Sequence, residues 1–380
     1  MEIRAGYKKA DIGIIPSDWE VKTLGDVGEV KMCRRVFNHE TSSEGTIPFY
    51  KIGTFGKEAD AYISEDLYNS YRQRFSFPKV GNILISAAGT IGRTLIYDGK
   101  PAYFQDSNIV WIDNKETLIS NNFLYHVFQI VKYNTEGGTI QRLYNSILKS
   151  TKFLCPPTKA EQTAIATALN DTDALITQLE KLIAKKRAIK QGAMQELLKP
   201  KEGWEVKSIG EISVVGRGRV ISHKEISKAI EGKYPVYSSQ TLSNGVMGYL
   251  DSYDFEGEYL TWTTDGVYAG KVYYRNGRFN CTNVCGTINL KKDYAPFVAY
   301  LLDTITPVHV SRNLANPKLM NAPMKRIKIP LPNYEEQIRI AQILSDMDAE
   351  LVFLEKKLDK YKMLKQGMMQ NLLTGKIRLI

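Results

Sequence analysis

The sequence is poor in the residues that build metal centres and disulfides. Its 380 residues include only four cysteines and four histidines. Two of the cysteines, Cys281 and Cys285, are close in sequence, but no second Cys/His pair accompanies them as a zinc site requires. The histidines do not show metal-ligand spacing either. We therefore expect no metal ion and free thiols, which fit a reducing cytoplasm.

Long apolar runs and catalytic signatures are also missing. The chain contains no run of about 18 apolar residues, so no membrane-spanning helix is predicted. The polar start of the chain does not resemble a secretory signal. There is no phosphate-binding loop motif. The single Pro-Pro pair, Pro156-Pro157, is not part of the Asn/Asp-Pro-Pro-aromatic motif that an amino-methyltransferase needs. We expect a cytoplasmic protein that is not an enzyme and carries no cofactor.

What the sequence does contain is positive charge, tyrosine and enough apolar residues for several cores. The net charge is +10, 22 residues are tyrosine, and 43% of the residues are hydrophobic. This length and apolar content suit two or three domains. An excess of positive charge favours a polyanionic partner only modestly.

An internal repeat with an offset of 175 residues organises the chain. Pro157 to Gln162 corresponds to Pro332 to Gln337, and the match continues without a gap for about forty residues. It ends where Leu197-Leu198 corresponds to Leu372-Leu373. Chance does not produce such a match, so we infer a duplicated segment.

Each copy of this segment predicts one long helix. Thr158 and Asn333 are favourable N-cap residues, and each has a glutamate three positions later, as in a capping box. Both copies carry an apolar seam with steps of three and four residues, as coiled coils do. We expect an antiparallel pair, although helices that pack only on their own domains remain possible. The basic run from Lys181 to Lys190 predicts a solvated or partner-docking face.

The segments before the two helices repeat more weakly. Asp18 to Lys22 resembles Gly203 to Lys207, and short β-type runs occur at Gly81 to Tyr97 and Tyr259 to Tyr274. We predict an α+β fold with two similar globular domains, two long antiparallel spacer helices and a pseudo-twofold internal repeat. The predicted boundaries are residues 1–156 for domain 1, 157–200 for helix 1, 201–331 for domain 2 and 332–380 for helix 2.

The sequence resembles the specificity subunits of Type I restriction-modification systems over essentially its whole length. The motifs that carry the resemblance are Gly13 to Val21, the helix starts at Pro157 and Pro332, and the closing Leu372 to Ile377. The resemblance implies two target-recognition domains that each read one half of a bipartite, asymmetric DNA site, with the helices setting the gap. It also implies two adenine methyltransferase subunits as partners and, in the full complex, restriction/translocase subunits.

Basic and polar loop residues are the candidates for contact with double-stranded DNA. They are Lys31, Arg34, Arg35, Thr90, Arg93, Thr139, Gln141, Arg142, Arg217, Arg219, Thr263, Thr264, Lys271, Arg312, Asn313 and Lys318. From the resemblance alone, Glu161, Gln162, Glu336 and Gln337 are candidates for methyltransferase contact. Two alternatives remain: a coiled-coil scaffold without DNA readout, and an enzyme such as a fused restriction-methylation polypeptide.

Overall fold

The chain divides into two compact units. The structure is a computed structural model that describes residues 5–133, 142–239, 242–311 and 316–379. Unit 1 comprises residues 1–180 and 356–380, and unit 2 comprises residues 181–355. Each unit therefore contains one globular part and a portion of each long helix.

Short strands and helices precede the first long helix. The strands are β1 (Tyr7–Ala10), β2 (Gly13–Pro16), β3 (Glu20–Thr23), β4 (Gly28–Met32), β5 (Ile47–Tyr50), β6 (Tyr62–Ile63), β7 (Ile83–Ser86), β8 (Thr94–Ile96), β9 (Tyr103–Phe104), β10 (Ile109–Asn114) and β11 (Lys152–Cys155). The helices are α1 (Leu24–Val27), α2 (Glu65–Arg74), α3 (Asn121–Ile130), α4 (Asn145–Ser150) and the long α5 (Lys159–Leu197), with a 3-10 turn at Asn38–Glu40.

The second half follows a similar order. Its strands are β12 (Glu205–Ser208), β13 (Ser213–Arg217), β14 (Tyr234–Tyr237), β15 (Val246–Leu250), β16 (Phe255–Thr263), β17 (Val272–Cys281), β18 (Cys285–Leu290) and β19 (Lys328–Leu331). Its helices are α6 (Ile209–Ile212), α7 (His223–Ile226), α8 (Ala295–Ile305), α9 (Asn321–Arg326) and the long α10 (Tyr334–Leu372), with 3-10 turns at Leu242–Gly245 and Thr306–His309.

Unit 1 is built on an antiparallel sheet of order β4-β10-β7-β8. One core lies between this sheet, α3 and the start of α5, and it encloses Trp19, Phe123 and Leu169. A second core joins the other face of the sheet to the small sheet β6-β5-β9 around Trp111 and Tyr103. The two-stranded ladder β3-β11 leads directly into α5.

Unit 2 repeats this frame with one rearrangement. Strands β13, β18, β16 and β17 correspond in order to the sheet of unit 1, and β12 pairs with β19 ahead of α10. The parallel pair β14-β17 extends this sheet to six strands, whereas β5 and β9 form their parallel pair in a separate small sheet. The predicted α+β repeat is confirmed, including the strands within residues 81–97 and 259–274.

The predicted caps and antiparallel helix pairing are confirmed. The Thr158 hydroxyl accepts a hydrogen bond from the Glu161 amide at 3.2 Å, and the Asn333 side chain accepts one from the Glu336 amide at 2.9 Å. The Glu161 carboxylate, however, bonds to Trp19 and Arg378. Of the two hydrogen bonds of a capping box at Thr158, the N-cap bond is therefore formed, while the Glu161 carboxylate has other partners.

Ion pairs between α5 and α10 repeat at the 175-residue offset. In unit 1, Asp173 pairs with Lys365 at 2.6 Å and Glu180 pairs with Lys362 at 2.8 Å. The equivalent pairs in unit 2 are Asp348 with Lys190, and Glu355 with Arg187 at 2.6 Å. Within each unit the partner number falls as the first number rises, so the helices run antiparallel. The basic run of α5 thus supplies cations to α10.

The apolar seam is buried over part of its length. Leu179, Ile183, Leu351 and Leu354 are buried, whereas Ile189 and Leu364 stay about half exposed. Ile189 and Leu364 are equivalent positions of the repeat. Both helices therefore leave the buried seam at the same position. Within the described ranges, none of the helices combines the length and apolar character needed to cross a membrane.

Candidate nucleic-acid interface

In unit 1, strand register gathers several loops at one end of the sheet. Met32, at the end of β4, lies opposite Val110, while Ser86, at the end of β7, lies opposite Ile109 near the start of β10. Because neighbouring strands are antiparallel, the loop after one strand lies beside the start of the next. We call residues 33–37, 87–93 and 142 the loop edge of unit 1. It unites the predicted Arg34, Arg35, Thr90, Arg93 and Arg142.

Hydrogen bonds hold the loop between β7 and β8 in a tight turn. The buried Ser86 hydroxyl donates to the Thr90 carbonyl at 2.6 Å and accepts from the Arg93 amide at 2.8 Å. Gly92 has φ of 81°, where an added Cβ would also meet the ring of Tyr133. The Arg93 guanidinium donates to the Phe55 carbonyl at 2.8 Å. Thr90 is exposed on this hydrogen-bonded loop. Part of the Arg93 guanidinium group is already occupied by its bond to the Phe55 carbonyl.

Unit 2 presents the equivalent edge. Arg217, at the end of β13, lies opposite Gly286, and Thr263, at the end of β16, lies opposite Cys285. We call residues 217–220, 264–271 and 316–318 the loop edge of unit 2. The bridge between Ala88 and Arg142 in unit 1 corresponds to that between Asp265 and Lys318 in unit 2. The two edges thus share backbone pairing but carry different side chains.

A carboxylate lies at the centre of the second edge. Asp265 forms ion pairs with Arg217 at 3.3 Å and with Lys318 at 3.4 Å, and it accepts a hydrogen bond from the Thr264 hydroxyl. Thr263 and Thr264 are buried. The structure brings together residues from three separate predicted clusters, but the two cations share a negative partner and the two threonines face the protein interior.

Other predicted contacts are also paired within the chain. Arg219 bonds to Glu225 at 2.7 Å and to Asp254 at 2.9 Å, and its hydrogen bond is the main reason that the pKa of Glu225 is lowered. Lys271 pairs with Asp303 at 2.6 Å. Sequence reasoning could not detect these partners, because most of them are distant along the chain.

The remaining predicted contacts include one paired strand residue, three exposed arginines and four residues outside the described ranges. Lys31 lies within β4 and pairs with Asp113 at 2.6 Å, which chiefly causes the lowered pKa of that carboxyl group. Arg34, Arg35 and Arg142 are exposed. The predicted residues Thr139, Gln141, Arg312 and Asn313 lie outside the described residues.

The glutamine of each helix start is a buried internal tether. Gln162 accepts from the Ser120 amide at 3.1 Å and donates to the Leu118 carbonyl at 3.0 Å. Gln337 accepts from the Tyr294 amide at 2.8 Å and donates to the Pro332 carbonyl at 3.0 Å. Both side chains therefore tie a long helix to the N-terminus of the domain helix, α3 or α8, that packs beside it.

The neighbouring glutamates differ between the units. Glu161 is 4% exposed and accepts from the Trp19 indole at 3.3 Å and from Arg378 at 2.9 Å. Glu336 is partly exposed and pairs with Lys201 at 3.3 Å. These helix-start residues, predicted as partner contacts, have structural partners of their own.

Two arginines of α2 were missed by sequence reasoning. Arg72 and Arg74 lie in the last turn of α2, and Arg74 stacks on the ring of Phe75, as Arg34 does. The sequence Arg-x-Arg-Phe at the end of a helix could have indicated these two residues. Elsewhere among the described residues, no group of three or more His, Cys, Asp or Glu side chains is arranged to hold a metal ion.

The fold and the two edges define a duplicated α+β protein with two matched loop surfaces. A family model described as the Type I restriction modification DNA specificity domain matches residues 16–191 and again residues 201–361. These two matches cover most of the chain, which therefore belongs to the family of Type I restriction-modification specificity proteins. The resemblance inferred from the sequence motifs is confirmed.

Relatives with curated descriptions are similar over part of their length. A putative type I restriction enzyme specificity subunit of Haemophilus influenzae is 57% identical over 161 residues, which are 42% of this chain and 42% of that protein. The Type I restriction enzyme MpnII specificity subunit of Mycoplasma pneumoniae is 38% identical over 176 residues, covering 43% of this chain and 52% of the relative. The chain thus spans about half, or less, of these relatives.

Solved structures share the fold over nearly the whole chain. The crystal structure of a Type I restriction-modification S subunit from M. genitalium superposes with a TM-score of 0.66 at 17% identity and covers 98% of both chains. A structure described as underlying complex assembly and conformational transition of the type I R-M system has a TM-score of 0.54 at 13% identity, covering 96% of this chain and 99% of that one.

Proposed function

We propose that this chain is the non-catalytic DNA-reading subunit of a Type I restriction-modification complex. Each loop edge reads one half of a bipartite, asymmetric site in double-stranded DNA. The observation that carries the proposal is the pair of loop edges, which share strand register and bridge positions but differ in side chains. Equal frames with unequal faces suit two different half-sites, since base identity is read by side-chain donors and acceptors in the grooves.

The domain boundaries of the proposal follow the sequence repeat. Residues 1–156 and 201–331 are the recognition domains, and residues 157–200 and 332–380 are the spacers. A helix of 39 residues, the length of both α5 and α10, is about 58 Å long at 1.5 Å per residue. Spacers of constant length support a fixed unread gap between the two half-sites.

Contacts to DNA are assigned to the predicted residues as clusters. In unit 1 the cluster is Lys31, Arg34, Arg35, Thr90, Arg93, Thr139, Gln141 and Arg142. In unit 2 it is Arg217, Arg219, Thr263, Thr264, Lys271, Arg312, Asn313 and Lys318. Exposed members contact DNA directly, while buried members such as Thr264 shape the loops that carry them.

The chemistry belongs to partner subunits in this proposal. Two adenine methyltransferase subunits dock on the chain and use S-adenosylmethionine, and restriction/translocase subunits join the full complex. Glu161, Gln162 and Gln337 support docking by fixing the helix starts, because they are buried with internal partners. Glu336 remains partly exposed and is the candidate for direct contact.

Methylation mapping tests the proposal. The chain is co-expressed with the methyltransferase encoded beside it in a methylation-free host, and N6-methyladenine is mapped across the genome. We expect one motif with two defined halves around a fixed undefined gap. Replacement of residues 201–331 by the corresponding domain of another family member should change one half of that motif and leave the other half intact.

Two outcomes contradict the proposal. A stable complex of both proteins that methylates no defined motif would favour a coiled-coil scaffold without DNA readout. Methylation by this chain in the absence of its partner would show catalysis and refute the non-catalytic assignment. Purified chain incubated with S-adenosylmethionine and the host genomic DNA is the control for the second outcome.

A further inference from the structure

An arginine cluster combines two residues of the loop edge of unit 1 with two residues of α2. Arg34 and Arg35 follow β4 directly, and Arg72 and Arg74 come from the last turn of α2. All four residues are exposed. Two segments that are nearly forty residues apart in sequence meet at the ring of Phe75, over which both Arg34 and Arg74 lie. We call these four residues the arginine cluster.

Aromatic rings support each member of the cluster. The Cζ atoms of Arg34 and Arg74 lie 5.3 Å and 5.5 Å from the ring centre of Phe75. Arg72 lies 5.5 Å from the ring centre of Phe77, and Arg35 lies 5.5 Å from that of Phe37. Stacking on a ring orders a guanidinium group through its face and leaves the N–H donors at its edge available. The cluster is thus preorganised for an anion.

Carboxylates of the described residues do not neutralise the cluster. Within the described part of the chain, none of its four members takes part in an ion pair. Arg72 donates a long hydrogen bond of 3.5 Å to the Tyr68 hydroxyl. Glu40 lies nearby, but its two oxygens accept from the Phe37 amide at 2.7 Å and from the Tyr71 hydroxyl at 3.2 Å. The Glu40 carboxylate is thus occupied by other donors and not by the arginines of the cluster.

The equivalent position in unit 2 has the opposite character. Arg219 lies two residues beyond the end of β13, as Arg34 lies two residues beyond the end of β4. Arg219 is held by Glu225 at 2.7 Å and Asp254 at 2.9 Å. Among the described residues, Arg219 is thus neutralised at one edge while the arginines of the cluster form no ion pair at the other, which indicates a role that the two edges do not share.

We propose that the arginine cluster is a phosphate clamp that anchors duplex DNA on unit 1 without reading its bases. The inference rests on the proposed function and adds the residues that supply its salt-dependent affinity. Arginine binds phosphate oxygens through two parallel N–H bonds, which matches four ordered, unpaired guanidinium groups. Phosphate contacts fix the position of a duplex and carry no sequence information directly.

Salt titration of DNA affinity tests the clamp. The full chain, purified with its methyltransferase partner, is titrated with a duplex containing its methylated motif and with an unrelated duplex between 50 and 200 mM salt. Each lost phosphate contact reduces the slope of log K against log salt by about 0.9. R72Q/R74Q should reduce the slope by about 2 and R34Q/R35Q/R72Q/R74Q by about 4, equally on both duplexes. The methylated motif should stay the same.

Control variants test whether a change in slope comes from the charge of the cluster, from loss of folding, or from a lower net charge of the protein. R72K/R74K keeps both charges and should keep most of the slope. K115Q/K149Q removes two cations near the opposite end of the same sheet, where Asn114 pairs with Gly28 and Lys149 bonds to Glu29. This control should leave the slope unchanged. Thermal unfolding of each variant monitors the fold, and we expect small changes because the substituted side chains are exposed.

Three results would overturn the clamp. An unchanged slope in the four-residue variant would show that the cluster does not contact DNA, and loss of methyltransferase co-purification in that variant would assign it to a protein partner. A changed motif would make the cluster a base reader. If the unsubstituted complex yields no split motif, the proposed function itself has failed. If it yields a split motif but its salt slope equals that of the four-residue variant, only the clamp has failed.

Discussion

Removal of the Arg378 side chain should destabilise unit 1 by about 3 kcal/mol. Arg378 bonds to both oxygens of the Glu161 carboxylate and forms a bidentate pair with Asp18 at 2.9 Å and 3.0 Å. It also stacks over Trp19. Arg378→Met keeps much of the apolar contact but leaves Glu161, at 4% exposure, with the Trp19 indole as its remaining donor among the described residues.

The magnitude follows from burial. Removing one partner of a buried ion pair costs about 3–5 kcal/mol, because the other charge stays desolvated. The lower end applies here, since the Arg378 side chain is 22% exposed and its pair with Asp18 is partly screened by water. For a unit of this size, the transition of unit 1 should shift down by roughly 6–12 °C.

The ion pair of the equivalent glutamate in unit 2 provides a matched control. Lys201 pairs with Glu336 at 3.3 Å, but its side chain is 47% exposed. Lys201→Met should therefore cost less than about 1 kcal/mol. Differential scanning calorimetry with chemical unfolding measures both variants. Similar losses in the two variants, or a loss below about 1 kcal/mol for Arg378→Met, would refute the reasoning.

A double-mutant cycle and a pH series sharpen this test. Glu161→Gln removes the buried charge, so the double variant should lose about 1–2 kcal/mol less than the sum of the two single losses. Hydrogen bonds from Arg378 are the main cause of the lowered pKa of Asp18. A lowered carboxyl pKa stabilises the fold above the unfolded value of about 3.9, and this contribution disappears as the pH falls through the folded value. The advantage of the native chain should therefore shrink below about pH 4.

Three further predictions concern the helix starts, the second edge and a buried histidine. Gln162→Ala and Gln337→Ala should each cost about 2 kcal/mol, because each leaves a domain amide without its partner; denaturant unfolding would measure this, and a loss near zero would contradict the tether. Asp265→Asn frees two cations and should alter one half of the methylated motif, so a change in both halves would argue against separate reading. Burial lowers the pKa of His126, so its contribution to stability should fall as the pH drops below about 6.5; His126→Gln should flatten that pH dependence.

The long helices and the repeat were predictable because their signals are local or linear. N-caps at Thr158 and Asn333 and the absence of proline define two helices without reference to anything distant. The 175-residue offset is a comparison of the chain with itself. Loop residues that follow strand ends close in sequence also lie together, as Thr263 and Lys271 do.

The sequence by itself determined the duplicated α+β frame, the two antiparallel helices and the family of the chain. Only the tertiary structure decided which basic residues remain unpaired. Arg34 and Arg219 occupy the same place after equivalent strands, but Asp254 reaches Arg219 from 35 residues away, whereas Arg34 shares the ring of Phe75 with Arg74. Charge neutralisation depends on distances of a few ångströms between side chains, which folding brings together and sequence spacing does not record.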